Sequence, residues 1–455
     1  MSPFDARLDT EVPALLLRLD RNPFHHGSLG AVRSLGRAGV EVHAFVESAR
    51  GPLNRSRYLH TGHLLAPEAS GLAGTERALL RAAERIGRPA VLIAMDDAGA
   101  IAAARLAARL AGRFLLPAQP RPWLLERVAD KAELAGLCRR LGIAHPATEV
   151  PDSAEQAEAA ARRLGLPLVA KWSRPWLLPD RGRAAGLRST TVLTRTEQAC
   201  RLFARTSLAG PGNRLVLQRL VIGGPGADWF FHGCFAAGGH CLLGGTGRKE
   251  LSWPVGAGLT ALGRWLPNAE VAAVARRLAA DLGYAGVLDL DLRREAATGA
   301  YHLLDVNPRP GAQFRLFTDG GGLDVVRALH LDLTGRRVPA PRPVPGRVFL
   351  AENYGLASGL VSALTGRGVG GRWAHRRRGV ETAWFAADDP APFWAMAGSW
   401  GPGRLGRRIA RRRHPVDSAA DSAVQGAANR AADRAADRAG DRAVRADGPE
   451  RAERT

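Results

Sequence analysis

The sequence DVNPR at residues 305–309 is the most informative stretch of this 455-residue chain. It begins in the last two residues of a predicted strand, Tyr301–Val306, which we expect to form a hairpin with a second predicted strand, Val287–Leu292. Side chains alternate between the two faces of a strand, so Asp305 and Asn307 lie on the same face. A proline ends the strand, and Arg309 then places a cation directly after two oxygen donors.

The partner strand carries two further acids, Asp289 and Asp291, which also share one face of their strand. Carboxylates on facing strands repel one another unless a cation lies between them. Mg²⁺ prefers oxygen ligands and takes a few carboxylates from the protein, with phosphates and water completing its shell. The hairpin therefore predicts a magnesium site that includes Asp305 and Asn307. A hairpin that is merely acidic is the alternative.

Lysine usage is the second unusual feature of the sequence. The chain has 64 basic residues, and only three of them, Lys131, Lys171 and Lys249, are lysine. Lysine offers a compact ammonium on a flexible stem, whereas arginine offers a wide planar fork. A tight phosphate site can require the former. The alternative is that three lysines survive by chance in an arginine-biased chain.

The hairpin resembles the metal-binding hairpin of the ATP-grasp superfamily, which pairs an acid on one strand with E-x-N-P-R on the next. Tyr284-Ala285-Gly286, followed by Asp291, resembles the family's spacing and favours Asp291 over Asp289 as a metal ligand. Asp305 stands where glutamate is usual. The resemblance implies Asp291, Asp305 and Asn307 as the metal ligands, with ATP and Mg²⁺ as cofactors and Mn²⁺ as a possible substitute.

The resemblance covers about residues 121 to 333 and implies roles for the lysines. Lys131 and Lys171 resemble the lysines that hold the ATP phosphates, and Lys249 resembles the basic residue that reaches the terminal phosphate. The loop Asp180–Thr191 resembles the lid over the phosphates, whose backbone N–H groups can cradle an anion.

The nucleoside part of ATP is assigned by the same resemblance. Leu217–Val221 is similar to the strand that joins the two lobes, where the backbone of Leu220 and Val221 meets the adenine edge. Gln218 replaces the usual acid and can accept a hydrogen bond from the adenine amino group. Asp228 matches the acid that binds the ribose hydroxyls.

The family's chemistry is the activation of a carboxylate as an acyl phosphate, which an amine or similar nucleophile then captures with release of ADP and phosphate. It implies catalytic roles for Lys249 and Arg309, and small-molecule carboxylate and amine substrates joined by a C–N bond. Arg315 can hold the substrate carboxylate bidentately, or it is a surface arginine. The chain loosely resembles carboxylate–amine ligases such as D-aspartate and dipeptide ligases.

The first segment of the chain alternates strands and helices, which predicts a parallel sheet covered on both faces. Ligands of such sheets bind beyond the carboxyl ends of the strands. Residues 22–28, with His25 and His26, and the pair Asp96 and Asp97 follow predicted strands and either bind a ligand or cap helices. The predicted strands are Ala14–Leu19, Val40–Val46, Ala90–Met95 and Arg113–Leu116.

The predicted fold class is thus α/β and α+β, with a Rossmann-like parallel-sheet domain followed by a two-lobed ATP-grasp fold. The predicted domains are residues 1–117; an ATP-grasp domain at 118–338, with lobes 118–210 and 211–338; a C-terminal extension at 339–414; and a disordered tail at 415–455. The tail repeats polar and charged residues and has no hydrophobic face with which to fold.

Composition argues against several other classes. The net charge of +21 comes from arginine spread through nearly every segment, so we expect no nucleic-acid partner. No apolar run reaches the roughly 20 residues of a membrane span, and the four cysteines form no CxxC pair. We expect a cytoplasmic protein that can form homo-oligomers. A catalytically inactive nucleotide-binding interaction module, or an arginine-rich binder of nucleic acid or membrane surfaces, remains the alternative.

Overall fold

The computed structural model describes residues 7–65, 71–253, 258–355 and 379–400 of the chain. These residues form three sheets, of five, four and seven strands. Within these ranges, no helix combines the length and the apolar character that crossing a membrane requires.

The first sheet is parallel, with the strand order β3-β2-β1-β4-β5. Three helices connect its strands, and the central strands are buried because helices cover both faces of the sheet. Its elements are β1 (Ala14–Leu17), α1 (His26–Arg37), β2 (Val42–Val46), β3 (Thr61–Leu64), α2 (Gly71–Ile86), β4 (Ala90–Ala94), α3 (Asp97–Leu110) and β5 (Phe114–Leu115). The predicted parallel sheet is confirmed. The edge strand β3 was not predicted, because the sequence Thr-Gly-His-Leu has no apolar run.

The second sheet has the order β6-β9-β7-β8, and its strands are antiparallel. Two helices precede it, and α6 and α8 pack against each other beside it. Its elements are α4 (Leu124–Ala129), α5 (Lys131–Leu141), β6 (Thr148–Glu149), α6 (Ala154–Leu164), β7 (Leu168–Trp172), α7 (Asp180–Ala184), β8 (Thr190–Leu193), α8 (Thr196–Phe203) and β9 (Leu215–Arg219). The predicted lid loop, Asp180–Thr191, contains the short helix α7, whose Gly182 is buried against Leu208, and the start of β8.

The third sheet has the order β14-β13-β10-β11-β12-β15-β16. Its elements are β10 (Asp228–Ala236), β11 (His240–Trp253), β12 (Leu259–Trp265), α9 (Ala269–Leu282), β13 (Gly286–Arg294), β14 (Tyr301–Asn307), α10 (Val325–Leu333), β15 (Val348–Leu350) and β16 (Val380–Thr382). The predicted hairpin is β13–β14. In the hairpin Asp289 pairs with Asn307, and Asp291 pairs with Asp305.

The described part of the predicted C-terminal extension is not a separate unit. Strands β15 and β16 extend the third sheet, and the residues after β16 pack on the first domain. There Asp389 forms a buried ion pair with Arg33 of α1, with Nε 2.9 Å from Oδ2. Residues 401–455, which include the arginine cluster near residue 410 and the predicted tail, lie outside the described residues.

Glycines allow α1 to approach the turn that follows the hairpin. A Cβ at Gly27 would lie 2.9 Å from Cα of Ala312, and one at Gly30 would lie 2.9 Å from Nε of Arg315. The backbone of α1 therefore contacts Ala312 and Arg315 at positions where a side chain larger than glycine would keep them apart. This contact sets the carboxyl edge of the first sheet against the end of the hairpin.

Candidate active site

One open cleft is bounded by all three sheets, and almost all of the predicted site residues line it. From the first sheet it takes Asp96 and Asp97, which follow β4. The predicted residues on its wall are Lys131, Lys171, Gln218, Leu220, Val221, Asp228, Lys249, Asp291, Asp305, Asn307 and Arg309. Residues from Asp96 to Arg309 are thus brought to one surface.

The hairpin presents its oxygen donors as two cross-strand pairs. Asp291 faces Asp305, and Asp289 faces Asn307, whose Nδ2 lies 3.4 Å from Oδ2 of Asp289. Burial and the neighbouring acids Asp289 and Asp305 raise the pKa of Asp291. A buried group of carboxylates whose charged form is penalised in this way favours a cation, so the donor set fits a hard divalent metal.

Two of the three lysines contact the predicted metal ligands directly. Lys131 forms an ion pair with Asp305, and Nζ of Lys249 lies 2.7 Å from Oδ1 of Asp291. Burial opposes the charged form of Lys249, but Asp291 outweighs it and the pKa of Lys249 is raised. These lysines neutralise the hairpin carboxylates and lie where an anion can reach them.

The third lysine, Lys171, donates to the carbonyl of Leu304 at 3.0 Å. Burial lowers its pKa, although the charge of Asp305 partly compensates. The alternation of β7 explains its direction, because Leu168, Ala170 and Trp172 are buried in the lobe and Lys171 faces the opposite way. An ammonium that is short of carboxylate partners gains most from a phosphate oxygen.

Local structure also fixes Lys131. It is the first residue of α5, and the preceding residue, Asp130, caps the helix by accepting from the N–H groups of Ala132 and Glu133 at 2.9 and 3.3 Å. The capping carboxylate also binds Arg174, with Nε 2.8 Å from its Oδ2. The lysine is therefore held at a helix N-terminus, where the macrodipole favours anions.

The residues predicted to meet the nucleoside lie along one wall. Gln218 is buried, and its Nε2 donates to Oγ1 of Thr148 on β6 at 3.1 Å. Leu220 and Val221 follow the end of β9 and are clear of its pairing with β6 and β7. The carboxylate of Asp228 is held by Arg293 through bonds of 2.6 and 2.9 Å. A ribose would have to share that carboxylate with the arginine.

Arg309 joins the hairpin to the first domain. Its Nη1 lies 3.0 Å from Oδ2 of Asp289, and its Nε lies 3.3 Å from Oδ1 of Asp97. Burial opposes the charge, but these acids together with Asp305 raise the pKa of Arg309. The guanidinium therefore stays charged at the junction between the β13–β14 hairpin and the carboxyl edge of the first sheet.

Two of the residues that follow strands of the first sheet serve as helix caps. Asp96 accepts from the N–H groups of Leu19, Asp20 and Gly99, at 2.8, 2.6 and 2.8 Å, and burial raises its pKa to about 6. His25 caps α1 by accepting from the N–H of Ser28 at 3.1 Å.

Arg315 does not join the cleft. It is 5% exposed, donates to the carbonyls of Thr382 and Ala383 at 2.7 and 3.3 Å, and forms an ion pair with Glu381 at 2.7 Å. The hydrogen bonds and the ion pair of its guanidinium are thus made with β16 and the residue after it. The expectation that Arg315 holds a substrate carboxylate is corrected accordingly, and Arg315 is not on the surface either.

Sequence reasoning missed His232, which is fully buried beneath the hairpin. Its Nε2 lies 2.9 Å from Oδ1 of Asp289, and together with Arg309 it lowers the pKa of that carboxyl against the effect of burial. A Cβ at Gly311 would collide with the ring of His232. The position of His232 on an apolar strand gives no signal of this contact.

The fold can be compared with proteins of known structure. No protein-family model and no curated protein match the sequence. Among solved structures, the biotin carboxylase domain of 2-oxoglutarate carboxylase from Hydrogenobacter thermophilus has a TM-score of 0.54 at 14% identity, over 74% of this chain and 73% of that one.

An N5-carboxyaminoimidazole ribonucleotide synthetase also has a TM-score of 0.54, at 13% identity, over 75% of this chain and 81% of that one. The L-amino acid ligase of Bacillus licheniformis has a TM-score of 0.53 at 14% identity, over 74% and 79% of the two chains. All three are ATP-grasp ligases. The chain therefore has the fold of these ATP-grasp ligases.

Proposed function

We propose that this protein is an ATP- and Mg²⁺-dependent ligase that activates a substrate carboxylate as an acyl phosphate for capture by an amine. The observation that carries the proposal is the pairing of lysines with hairpin acids, Lys131 with Asp305 and Lys249 with Asp291. Such a surface binds a metal and phosphates together, because the metal takes the carboxylates and the phosphates take the ammonium groups.

Nucleotide and metal are supported by the chemistry of the donor set and by the fold. The solved structure from Hydrogenobacter thermophilus holds MgADP, ADP and bicarbonate, and a carboxyaminoimidazole ribonucleotide synthase of this fold holds ATP. In this chain Asp291, Asp305 and Asn307 would hold Mg²⁺, which neutralises charge on the phosphates. Lys131 and Lys171 would hold the phosphates.

The first step is attack of the substrate carboxylate on the terminal phosphorus of ATP. A carboxylate oxygen forms the new bond to phosphorus, the bond from phosphorus to the bridging oxygen breaks, and ADP leaves with that electron pair. Lys249 and Arg309 would stabilise the charge on the transferred phosphoryl group. No nucleophilic side chain is required, so the protein contributes positioning and charge.

In the second step the amine nitrogen attacks the acyl carbon, phosphate leaves, and the nitrogen loses a proton. The acceptor site would lie where Arg309 meets the first sheet, because the cleft continues there past Asp97. Arg309 lies at that end, with Nε 3.3 Å from Oδ1 of Asp97. It can contact both the transferred phosphoryl group and a substrate carboxylate.

The proposal is tested by measuring phosphate release with Mg²⁺-ATP while amino acids and small carboxylates are screened in pairs. On any active pair, Asp305→Ala and Asn307→Ala should abolish turnover while the circular dichroism spectrum and melting temperature stay near those of the wild type. The matched control is Asp281→Ala, which removes an exposed acid on α9 that forms an ion pair with Arg277. Full ADP-forming activity in both hairpin variants would refute the metal assignment.

The same measurement separates the competing functions. An inactive nucleotide-binding module would bind ATP but release no phosphate with any substrate pair. An arginine-rich binder of nucleic acid would bind RNA with an affinity that falls steeply with salt. Phosphate release that requires both a carboxylate and an amine supports the ligase alone.

A further inference from the structure

Three histidines and one glutamate form a cluster on the first domain, at the end of the sheet opposite to the cleft: Glu41, His43, His60 and His63. Glu41 and His43 stand at the start of β2, and His60 directly precedes β3. The cleft receives the residues that follow strands β1 and β4. The cluster is therefore at the amino ends of parallel strands, and the proposed ligase chemistry leaves it unused.

Strand geometry brings the donors together. Glu41 and His43 are two residues apart, so their side chains leave the same face of β2. Parallel pairing sets His43 beside Thr61, and the N–H of His60 donates to the carbonyl of Val42 at 2.8 Å. Nε2 of His43 lies 2.8 Å and Nε2 of His60 lies 4.0 Å from Oε1 of Glu41.

We propose that Glu41, His43 and His60 form a binding site for a borderline divalent transition metal of the Zn²⁺ class. Their donor atoms all lie within 4.8 Å of one another. Tetrahedral ligands at about 2.0–2.1 Å from zinc are about 3.3 Å apart. The observed separations lie on both sides of that value, so small side-chain rotations would seat the ion. Two imidazoles and one carboxylate leave a fourth position for water or another ligand.

The groups around the cluster orient its donors. Arg88 is anchored by the carbonyl of Glu11 at 3.0 Å and holds Oε2 of Glu41 at 2.9 Å, which leaves Oε1 facing the histidines. Nδ1 of His43 lies 3.1 Å from Nε2 of His63. When Nε2 of His43 binds a metal, Nδ1–H donates to His63. A metal-bound histidine commonly has such a partner, which fixes its tautomer.

The metal would fasten β3 to the sheet. β3 is an edge strand of four residues, and among the described residues it pairs with β2 alone. A bond from His60 through the ion to His43 and Glu41 would cross between the start of β3 and the start of β2. Binding to the folded state alone raises the stability of the protein.

The test uses Co²⁺ as a spectroscopic probe on the full-length protein, with excess Mg²⁺ and ADP present to occupy the hairpin. We expect one equivalent of Co²⁺ to give the strong visible absorption of a four-coordinate site, and Zn²⁺ to displace it. His60→Ala should weaken binding by at least about tenfold, since loss of an outer partner alone costs roughly 10–100-fold. His60 is exposed, so this variant keeps the fold.

The matched control is His240→Ala, which removes an exposed histidine at the start of β11 and should bind Co²⁺ like the wild type. Melting temperature gives a second readout, because Zn²⁺ should raise it for the wild type and for His240→Ala but not for His60→Ala. The proposal is overturned if the wild type binds no Co²⁺ under these conditions. Equal binding by the wild type and His60→Ala would overturn it as well.

Discussion

Exchanging Lys249 for arginine tests whether the chain keeps lysine because phosphate needs a compact cation. Nζ of Lys249 lies 2.7 Å from Asp291, and its side chain is 15% exposed. On the neighbouring strand β12 it pairs with Gly263, where an added Cβ would lie 3.0 Å from Thr260 and 3.3 Å from Phe230. The wall around Lys249 is therefore close, and a longer, forked side chain has little room to fold back.

The expected loss of rate in Lys249→Arg follows from how far the larger side chain displaces its neighbours. Arginine keeps the charge, but its guanidinium would extend beyond the ammonium and push the phosphoryl group or Asp291 aside by about 1 Å. A misplacement of that size costs roughly a hundredfold in rate. At 1.36 kcal/mol for each factor of ten, this is about 2.7 kcal/mol of transition-state stabilisation. Since the charge is retained, the variant should still bind ATP, but more weakly or unproductively.

The assay is steady-state release of ADP on an active substrate pair, together with ATP titration by calorimetry and a thermal melt. Arg248→Lys is the matched control, because Arg248 is adjacent in the strand, pairs with Glu250 at 2.8 Å, and does not line the cleft. It should keep the wild-type rate. A Lys249→Arg variant as fast as the wild type would refute the argument and direct attention to the arginines as phosphate ligands.

Three further predictions concern stability and the chain terminus. Asp389→Ala should lower the free energy of unfolding by about 3–5 kcal/mol in a denaturant titration, because it leaves the guanidinium of Arg33 buried without its carboxylate; a loss below about 1 kcal/mol would contradict this. The ring of His26 is buried against Phe349, Tyr354 and Trp384. This burial lowers the pKa of His26 from 6.5 to about 3. The unfolded chain therefore binds more protons than the folded protein between those pH values, and the free energy of unfolding should fall by about 2 kcal/mol from pH 7 to pH 5. His26→Phe should remove this part of the dependence of the unfolding free energy on pH. An unchanged pH dependence in the variant would contradict the assignment. A chain ending at residue 414 should keep the full-length rate on any active substrate pair, because residues 415–455 have no apolar stripe with which to dock; a large loss would mean that the tail contributes to the site.

Periodicity alone was enough to predict the hairpin. Acids two residues apart on each strand had to share a face, and the structure sets Asp291 opposite Asp305 and Asp289 opposite Asn307. Lysine usage led to Lys131, Lys171 and Lys249, and all three line the cleft. The sequence carries these features because strand alternation and residue type are local properties of the chain.

The two arginines after the hairpin show what local pattern cannot decide. Arg309 and Arg315 are six residues apart. Arg309 was predicted to be a catalytic cation, and Arg315 to hold the substrate carboxylate or to lie on the surface. Arg309 reaches Asp97 and Asp289 at the cleft, whereas Arg315 is buried against Glu381, which comes from a strand 66 residues further along the chain. The position of β16 at the edge of the third sheet therefore decides that Arg315 is buried, while Arg309 lines the cleft.

His232 and the group of Glu41, His43 and His60 make contacts that the local sequence pattern did not predict. Nothing near His232 in sequence indicates Asp289, and no metal-ligand spacing joins His43 to His60. Their contacts arise because strands distant in sequence become neighbours, β10 beside β13 and β2 beside β3. The sequence by itself determined which face of each element is polar and which residues carry charge. The tertiary structure decided which of those charges meet, because strand order and helix docking depend on packing over the whole chain.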